Sequence, residues 1–118
     1  KAEQLAKELG TETTVYGSLA QTAEQIDAAT IVINTTSMGY SDKVIDLPNG
    51  RDRLFFDISY GKIAARQIAV ARKSGWRVKD GLSMLVAQAA FSFEIWFGEK
   101  PDLDAGLRRC ETALRAVS

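Results

Sequence analysis

Histidine is missing from this sequence altogether, and cysteine occurs once, at Cys110. Without imidazole there is no His-dependent catalytic triad and little means of building a zinc site, and a single thiol makes no disulfide framework. Neither charge prevails: fifteen Lys and Arg balance fifteen Asp and Glu. No window gathers enough basic residues to follow a phosphate backbone, so no nucleic-acid partner is expected. Arg108, Arg109 and Arg115 lie among acids on a helix and read as a solvated face. No apolar run reaches the roughly 18 residues of a membrane span. The opening KAEQLAKELG is a charged helix rather than a signal peptide, so no membrane partner is expected and a cytoplasmic location is the default.

What the sequence does contain is an alternation of short apolar runs and helical patterns. Its 118 residues suit one small domain. Leu5 and Leu9, with Ala2 and Ala6 beside them and Gly10 as a stop, predict a helix already in progress at Lys1, as in a piece of something longer. TTVY (13–16) predicts a strand, and SLAQTAEQI (18–26) a short helix capped by Ser18. IVI (31–33) and LFF (54–56) are unbroken apolar runs that fit parallel strands buried on both faces, although periodicity alone also allows buried helix. Between them SDKVIDLPNGRDR, with Pro48 and the Asn49-Gly50 pair, reads as a loop. A helix is predicted over 63–74, ended by Gly75, and a strand over 76–78.

From Leu82 onward the helical signal is strong. Leu82, Leu85, Val86, Ala89, Phe93, Trp96 and Phe97 share one face, while Met84, Gln88, Phe91 and Ile95 occupy the other. Because Met84, Phe91 and Ile95 stand where a solvent-exposed helix would show charges, a helix covered on both faces is expected, with Gln88 the one polar group among the apolar ones. Gly98 and Pro101 end it, Asp102 can cap the next, and Leu103, Leu107, Cys110, Leu114 and Val117 form one stripe on a surface-packed C-terminal helix. Cys110 belongs to that stripe as a small hydrophobe. The fold class that follows is α/β, a partial Rossmann-like doubly wound parallel sheet with a C-terminal helical pair. Ligands of such sheets gather at the carboxyl ends of the strands. Three polar clusters stand there: NTTSMG after IVI, DISYGK after LFF, and KDGLSM after WRV.

These clusters, in this order and spacing, resemble the shikimate dehydrogenase family. The family's Asn-x-Thr-Ser-x-Gly is similar to Asn34, Thr36, Ser37 and Gly39; its Asp-x-x-Tyr to Asp57 and Tyr60; its Asp-Gly-x-x-Met-Leu-x-x-Gln to Asp80, Gly81, Met84, Leu85 and Gln88. FSFEIWFGEKPD also matches the family's C-terminal spacing. The resemblance implies NADPH-dependent reduction of 3-dehydroshikimate to shikimate, a step toward aromatic amino acids. It implies that residues 1–118 are the C-terminal portion of a dinucleotide-binding domain, without its first βαβ half and without the substrate domain that brings the catalytic Lys and Asp. No catalytic residue is therefore expected in this chain, and the chain alone is expected to be inactive. The implied cofactor is NADP, with NAD left open because the segment that reads the 2′-phosphate is not among these residues.

By the same resemblance Thr36 and Ser37 would place hydroxyls near the cofactor's ribose and phosphates, Ile58, Gly81 and Met84 would border the nicotinamide, and Tyr60 and Gln88 would touch shikimate or 3-dehydroshikimate. Read without it, the hydroxyls would satisfy stray backbone groups at a strand end. Asp57 is expected to hold loop N–H groups, and Asp80 or Ser83 to cap the helix. Tyr60 and Lys62 are two residues apart, whereas the Tyr/Lys pair of short-chain dehydrogenases needs a helical turn between its members. Ile58 stands where the family usually has Met, Ala64-Ala65 where it has Thr-Pro, and Ser83 where it has Gly. These departures favour a second reading, a paralogue acting on quinate; a third is a non-catalytic nucleotide-binding or assembly module. In the strand order 3-2-1-4-5-6, TTVY and IVI would flank a gap two strands wide. Closure is expected, by packing the two strands together or by pairing two copies into a homodimer.

Overall fold

The computed structural model describes residues 2–10, 17 and 22–116. Its helices are α1 (Ala2–Glu8), α2 (Thr22–Ala28), α3 (Gly61–Lys73), α4 (Leu82–Phe97) and α5 (Leu103–Ala116), and its strands are β1 (Ile31–Asn34), β2 (Leu54–Asp57) and β3 (Arg77–Lys79). The TTVY strand and the Ser18 cap lie outside the described residues, and with them the closure of the gap. The strands form a parallel sheet in the order β1-β2-β3, with Val32 opposite Phe55 and Phe55 opposite Val78.

Alternation along the strands sends Val32, Asn34, Phe55, Asp57 and Val78 to one face. There Ile26, Phe55, Ala71 and Trp76 make the core, with Ile45, Leu47 and Ile68 packed against it. α3 lies on β2 and β3 and meets the 3-10 turn Met38–Ser41 at its other side. The opposite face departs from expectation. Ile31 and Ile33 are 57% and 59% exposed, and Arg77 and Lys79 are exposed beside them. The apolar run IVI does form a strand, but among the described residues nothing packs over its second face.

The crossover from β1 to β2, residues 35–53, has no α-helix, although parallel strands are usually joined by one. After the 3-10 turn it runs as the predicted loop, and its buried backbone groups find side-chain partners. The Gln67 carboxamide takes the Ile45 N–H at 2.6 Å and donates to the Ile45 carbonyl at 3.0 Å. Trp76 Nε1 donates to the Pro48 carbonyl at 2.8 Å, and Gly50 N to the Ser74 carbonyl at 2.8 Å. Gln67→Leu keeps the volume and strands both groups of Ile45, at a cost of about 1–3 kcal/mol for each buried group left unpaired. Denaturant unfolding should show that loss, and amide exchange should be fastest at Ile45; unchanged exchange there would refute the clamp.

α4 ends in a left-handed Gly98, φ 72°, whose N–H returns to the Glu94 carbonyl. Asp102 caps α5 as expected, accepting the Ala105 N–H at 3.0 Å. That N–H, with lesser help from the Asp104 N–H and Arg108, holds the carboxyl below the ordinary 3.8. The two helices pack together where Gly106 lets Val86 approach. Cys110, half-buried, borders the resulting groove with Leu85, Phe93 and Leu103. The expectation that α4 is covered on both sides is corrected: Ile95 is 81% and Trp96 75% exposed, Phe91 and Gln88 are exposed too, and only Leu82 and Ala90 are buried. Among the described residues α5 is the main element packed along α4.

Candidate functional site at the carboxyl ends of the strands

The abrupt polarity at the ends of β1 and β2 resolves into one hydrogen-bond network. Asn34 and Asp57, opposite each other in register, are both buried and point to the core face. Asn34 Nδ2 donates to Asp57 Oδ2 at 2.8 Å. Asp57 Oδ1 accepts the Ser59 N–H at 2.9 Å, the structural role expected of it. Asn34 Oδ1 accepts the Thr36 N–H at 3.0 Å and the Thr36 hydroxyl at 2.7 Å, and Thr36 Oγ1 in turn takes the Met38 N–H at 3.4 Å. The Ile58 N–H reaches the Asn34 carbonyl. Two loops that leave adjacent strands are thus tied to a single carboxamide–carboxylate pair.

Between these loops lies a cavity of about 340 Å³ lined by Thr36, Ser37, Tyr40, Ile58, Tyr60 and Ile63, among others. Gly39 is pressed against α3, since a Cβ there would come within 2.4 Å of the Ile63 carbonyl oxygen. Gly81 is buried behind the second loop. Its N–H donates to the Ser59 carbonyl at 2.9 Å, and a Cβ would stand 1.9 Å from the Ile58 oxygen. The backbone that Gly81 admits in this structure is that of Ile58. Asp80 accepts the Leu82 N–H at 3.2 Å and so serves the start of α4, whereas Ser83 makes no such bond. A cavity of similar size, about 320 Å³, lies beside α3 and α5 with Lys79, Asp80, Glu111 and Arg115, but it contains none of the hydroxyl row. Among the described residues no group of three or more His, Cys, Asp or Glu could hold a metal ion. No described helix is long and apolar enough to cross a membrane.

The family model for the shikimate 5′-dehydrogenase C-terminal domain matches residues 81–110. The shikimate dehydrogenase (NADP(+)) of Hyphomonas neptunium is 45% identical over 118 residues, covering 100% of this chain and 43% of its own length. That of Paracoccus denitrificans is 38% identical over 117 residues, 96% of this chain and 41% of its own. Among solved structures, shikimate 5-dehydrogenase from Thermus thermophilus in complex with shikimate aligns with a TM-score of 0.70 and 28% identity, over 96% of this chain and 41% of that one. The chain belongs to the shikimate dehydrogenase family. It spans less than half the length of the curated relatives it matches.

Of the residues that the shikimate dehydrogenase pattern singled out, Thr36, Ser37, Ile58 and Tyr60 meet at one cavity. Gly81 stands one layer behind Ile58. Met84 and Gln88 lie on α4, exposed and outside the cavity lining. Tyr60 is 38% exposed, and neither its hydroxyl nor the Gln88 carboxamide has a hydrogen-bond partner among the described residues. Sequence reasoning missed the pairing of Asn34 with Asp57 and the role of Gln67. Only the identical position of Asn34 and Asp57 at the ends of two neighbouring apolar runs could have signalled the first.

Proposed function

We propose that this chain is the C-terminal portion of the dinucleotide-binding domain of an NADP-dependent shikimate dehydrogenase, which reversibly reduces 3-dehydroshikimate to shikimate. The observation that carries the reading is the cavity at the carboxyl ends of β1 and β2, where Thr36, Ser37, Ile58 and Tyr60 converge, the place where open α/β sheets hold ligands. Its fit to part of a dinucleotide is good: the volume lies near the lower end of the roughly 300–1,000 Å³ of small-molecule sites, enough for a ring with its sugar. Hydroxyls line one side and the Ile58 side chain another. When bound there, NADPH would supply the hydride for the substrate carbonyl carbon.

The residues of this chain bind and orient. Ile58, backed by Gly81, presents an apolar surface to the nicotinamide, and Met84 would border the ring from α4, outside the cavity lining. Tyr60 and Gln88, whose polar ends are uncommitted, turn toward the ring acid. The lysine and aspartate that move the proton belong to a substrate domain outside these residues, so this portion contributes orientation rather than acid–base chemistry.

The full-length protein should oxidise NADPH when given 3-dehydroshikimate, and the isolated 118-residue chain should not. Lack of turnover by the full-length protein with either NADPH or NADH would overturn the reading, as would steady reduction by the isolated chain. Ile58, which lines the cavity in place of the family's usual Met, favours one second reading, a paralogue acting on quinate. A preference of the full-length enzyme for quinate over shikimate would decide for it.

A further inference from the structure

The rim network has a direction. Asp57 is 2% exposed and offers only acceptors when ionised, so the Asn34 atom that meets it at 2.8 Å is the amide nitrogen. The Thr36 N–H can only donate, so the atom that meets it at 3.0 Å is the Asn34 oxygen. Two one-way partners therefore fix the carboxamide from its two ends. The Thr36 hydroxyl, 2.7 Å from an oxygen that carries no proton, gives its own proton to it. One lone pair of Thr36 Oγ1 faces the Met38 N–H. What remains for anything in the cavity is a lone pair and no proton.

We propose that the Asp57–Asn34–Thr36 relay makes Thr36 an obligatory acceptor, so that the ligand group seated against it is a hydrogen-bond donor, a sugar hydroxyl or a carboxamide NH₂, and not a phosphate oxygen. The proposal rests on the dinucleotide reading above and narrows it, since phosphate is removed from the expectation at Thr36. A phosphate oxygen would set lone pair against lone pair there. The neighbouring Ser37 hydroxyl has no partner among the described residues and can donate or accept, so of the two adjacent hydroxyls only Thr36 is restricted to one role. Asp57 and Asn34 are positioning residues that act through Thr36.

The test is an isosteric exchange in the full-length enzyme. Asp57→Asn sets a carboxamide between two donors, the Ser59 N–H and Asn34 Nδ2, and satisfies only one. Asn34→Asp sets two carboxylates face to face. Combined, the exchange restores every bond and reverses only the central one: the new carboxamide accepts from Ser59 and donates to the new carboxylate, which accepts from Thr36. Each single variant should weaken NADPH binding about tenfold or more, as expected for a lost buried partner, and the double variant should recover most of that. A double variant no tighter than the worse single overturns the relay.

The ligand arm uses Thr36→Val with three probes: NADPH, its 3-acetylpyridine analogue, which lacks the carboxamide NH₂, and an analogue lacking the 2′-hydroxyl of the nicotinamide ribose. The substitution should weaken NADPH about tenfold and leave unchanged the affinity for whichever analogue lacks the donor that Thr36 faces. Equal weakening of all three overturns the acceptor assignment. Failure of the wild-type enzyme to bind NADPH would be failure of the dinucleotide reading itself, visible before any variant is made.

Discussion

Gly81→Ala is expected to destabilise the protein by about 2–4 kcal/mol, since overpacking a tight site typically costs 1–3 and a backbone obstacle gives less than a side chain does. The added methyl would lie 1.9 Å from the Ile58 oxygen, 2.6 Å from its carbonyl carbon and 3.2 Å from its Cα. All three are main-chain atoms, so no rotamer change clears the space. The φ of Gly81 is −76°, an ordinary helical value, which means that glycine is required here for room rather than for conformation. To make room, the 81–59 hydrogen bond must open and Ile58 must move into the cavity it lines. Loss of stability and loss of NADPH affinity should therefore come together. Gly98→Ala is the control, with a left-handed φ of 72° and nothing within 4 Å; it should cost only about 1–2 kcal/mol and spare NADPH affinity. Thermal unfolding and a NADPH titration of both variants would decide, and a smaller loss at 81 than at 98 would sink the argument.

Trp76→Ala should be at least as damaging, about 3–5 kcal/mol, the range for truncating a large buried aromatic. The indole is 3% exposed, donates to the Pro48 carbonyl at 2.8 Å and lies under the Arg53 guanidinium, 5.5 Å from the ring centroid. It also fills the space beside Gly50, where a Cβ would stand 2.0 Å from the ring. Truncation removes the packing and unties the β1–β2 crossover in one step. Trp76→Phe retains most of the apolar volume and loses the N–H bond, so it should cost about 1–3 kcal/mol for the orphaned carbonyl. The exposed Trp96 would then be the remaining indole, and the folded protein should emit at long wavelength. Chemical denaturation followed by circular dichroism measures all three proteins; a loss below about 1 kcal/mol for Trp76→Ala would be incompatible with a core role.

Local pattern carried most of the architecture. IVI and LFF are strands because short apolar runs ended by polar residues have few alternatives between turn signals, and the period of Leu82–Phe97 is helical throughout. Asp102 was readable as a cap from its place just before the C-terminal stripe. What pattern could not supply is partnership over distance. Gln67 and Ile45 are 22 residues apart, and Asn34 and Asp57 are 23 apart. Gln67, Asn34 and Asp57 each look like an ordinary polar residue until the fold sets them beside their partners. Burial was misjudged for a related reason. A helix whose one charge is Glu94 implies cover on every side, but apolar composition says what a face would bind and not whether these residues provide the binder. Thus Ile95 and Trp96 remain exposed on α4, and Ile31 and Ile33 on β1. Four of the implied site residues converge at one cavity because strand ends in a parallel sheet bring their loops together; Met84 and Gln88 sit further along α4, where nothing in the local pattern fixes their neighbours.

The irregular crossover bears on how the chain is made. The side chains that hold Ile45 and Pro48 lie later in the polypeptide: Gln67 is 22 residues beyond Ile45, and Trp76 is 28 beyond Pro48. A ribosome adding about 5–20 residues per second delivers the later of these anchors about 1–6 seconds after the segment it must hold. During that interval β1 and its connection have emerged, while the groups that will tie the connection down are still being polymerised. A crossover helix would have carried its own hydrogen bonds out of the tunnel. This one depends on the downstream sequence, so a pause in translation between Pro48 and Trp76 prolongs the time for which the segment is unsecured.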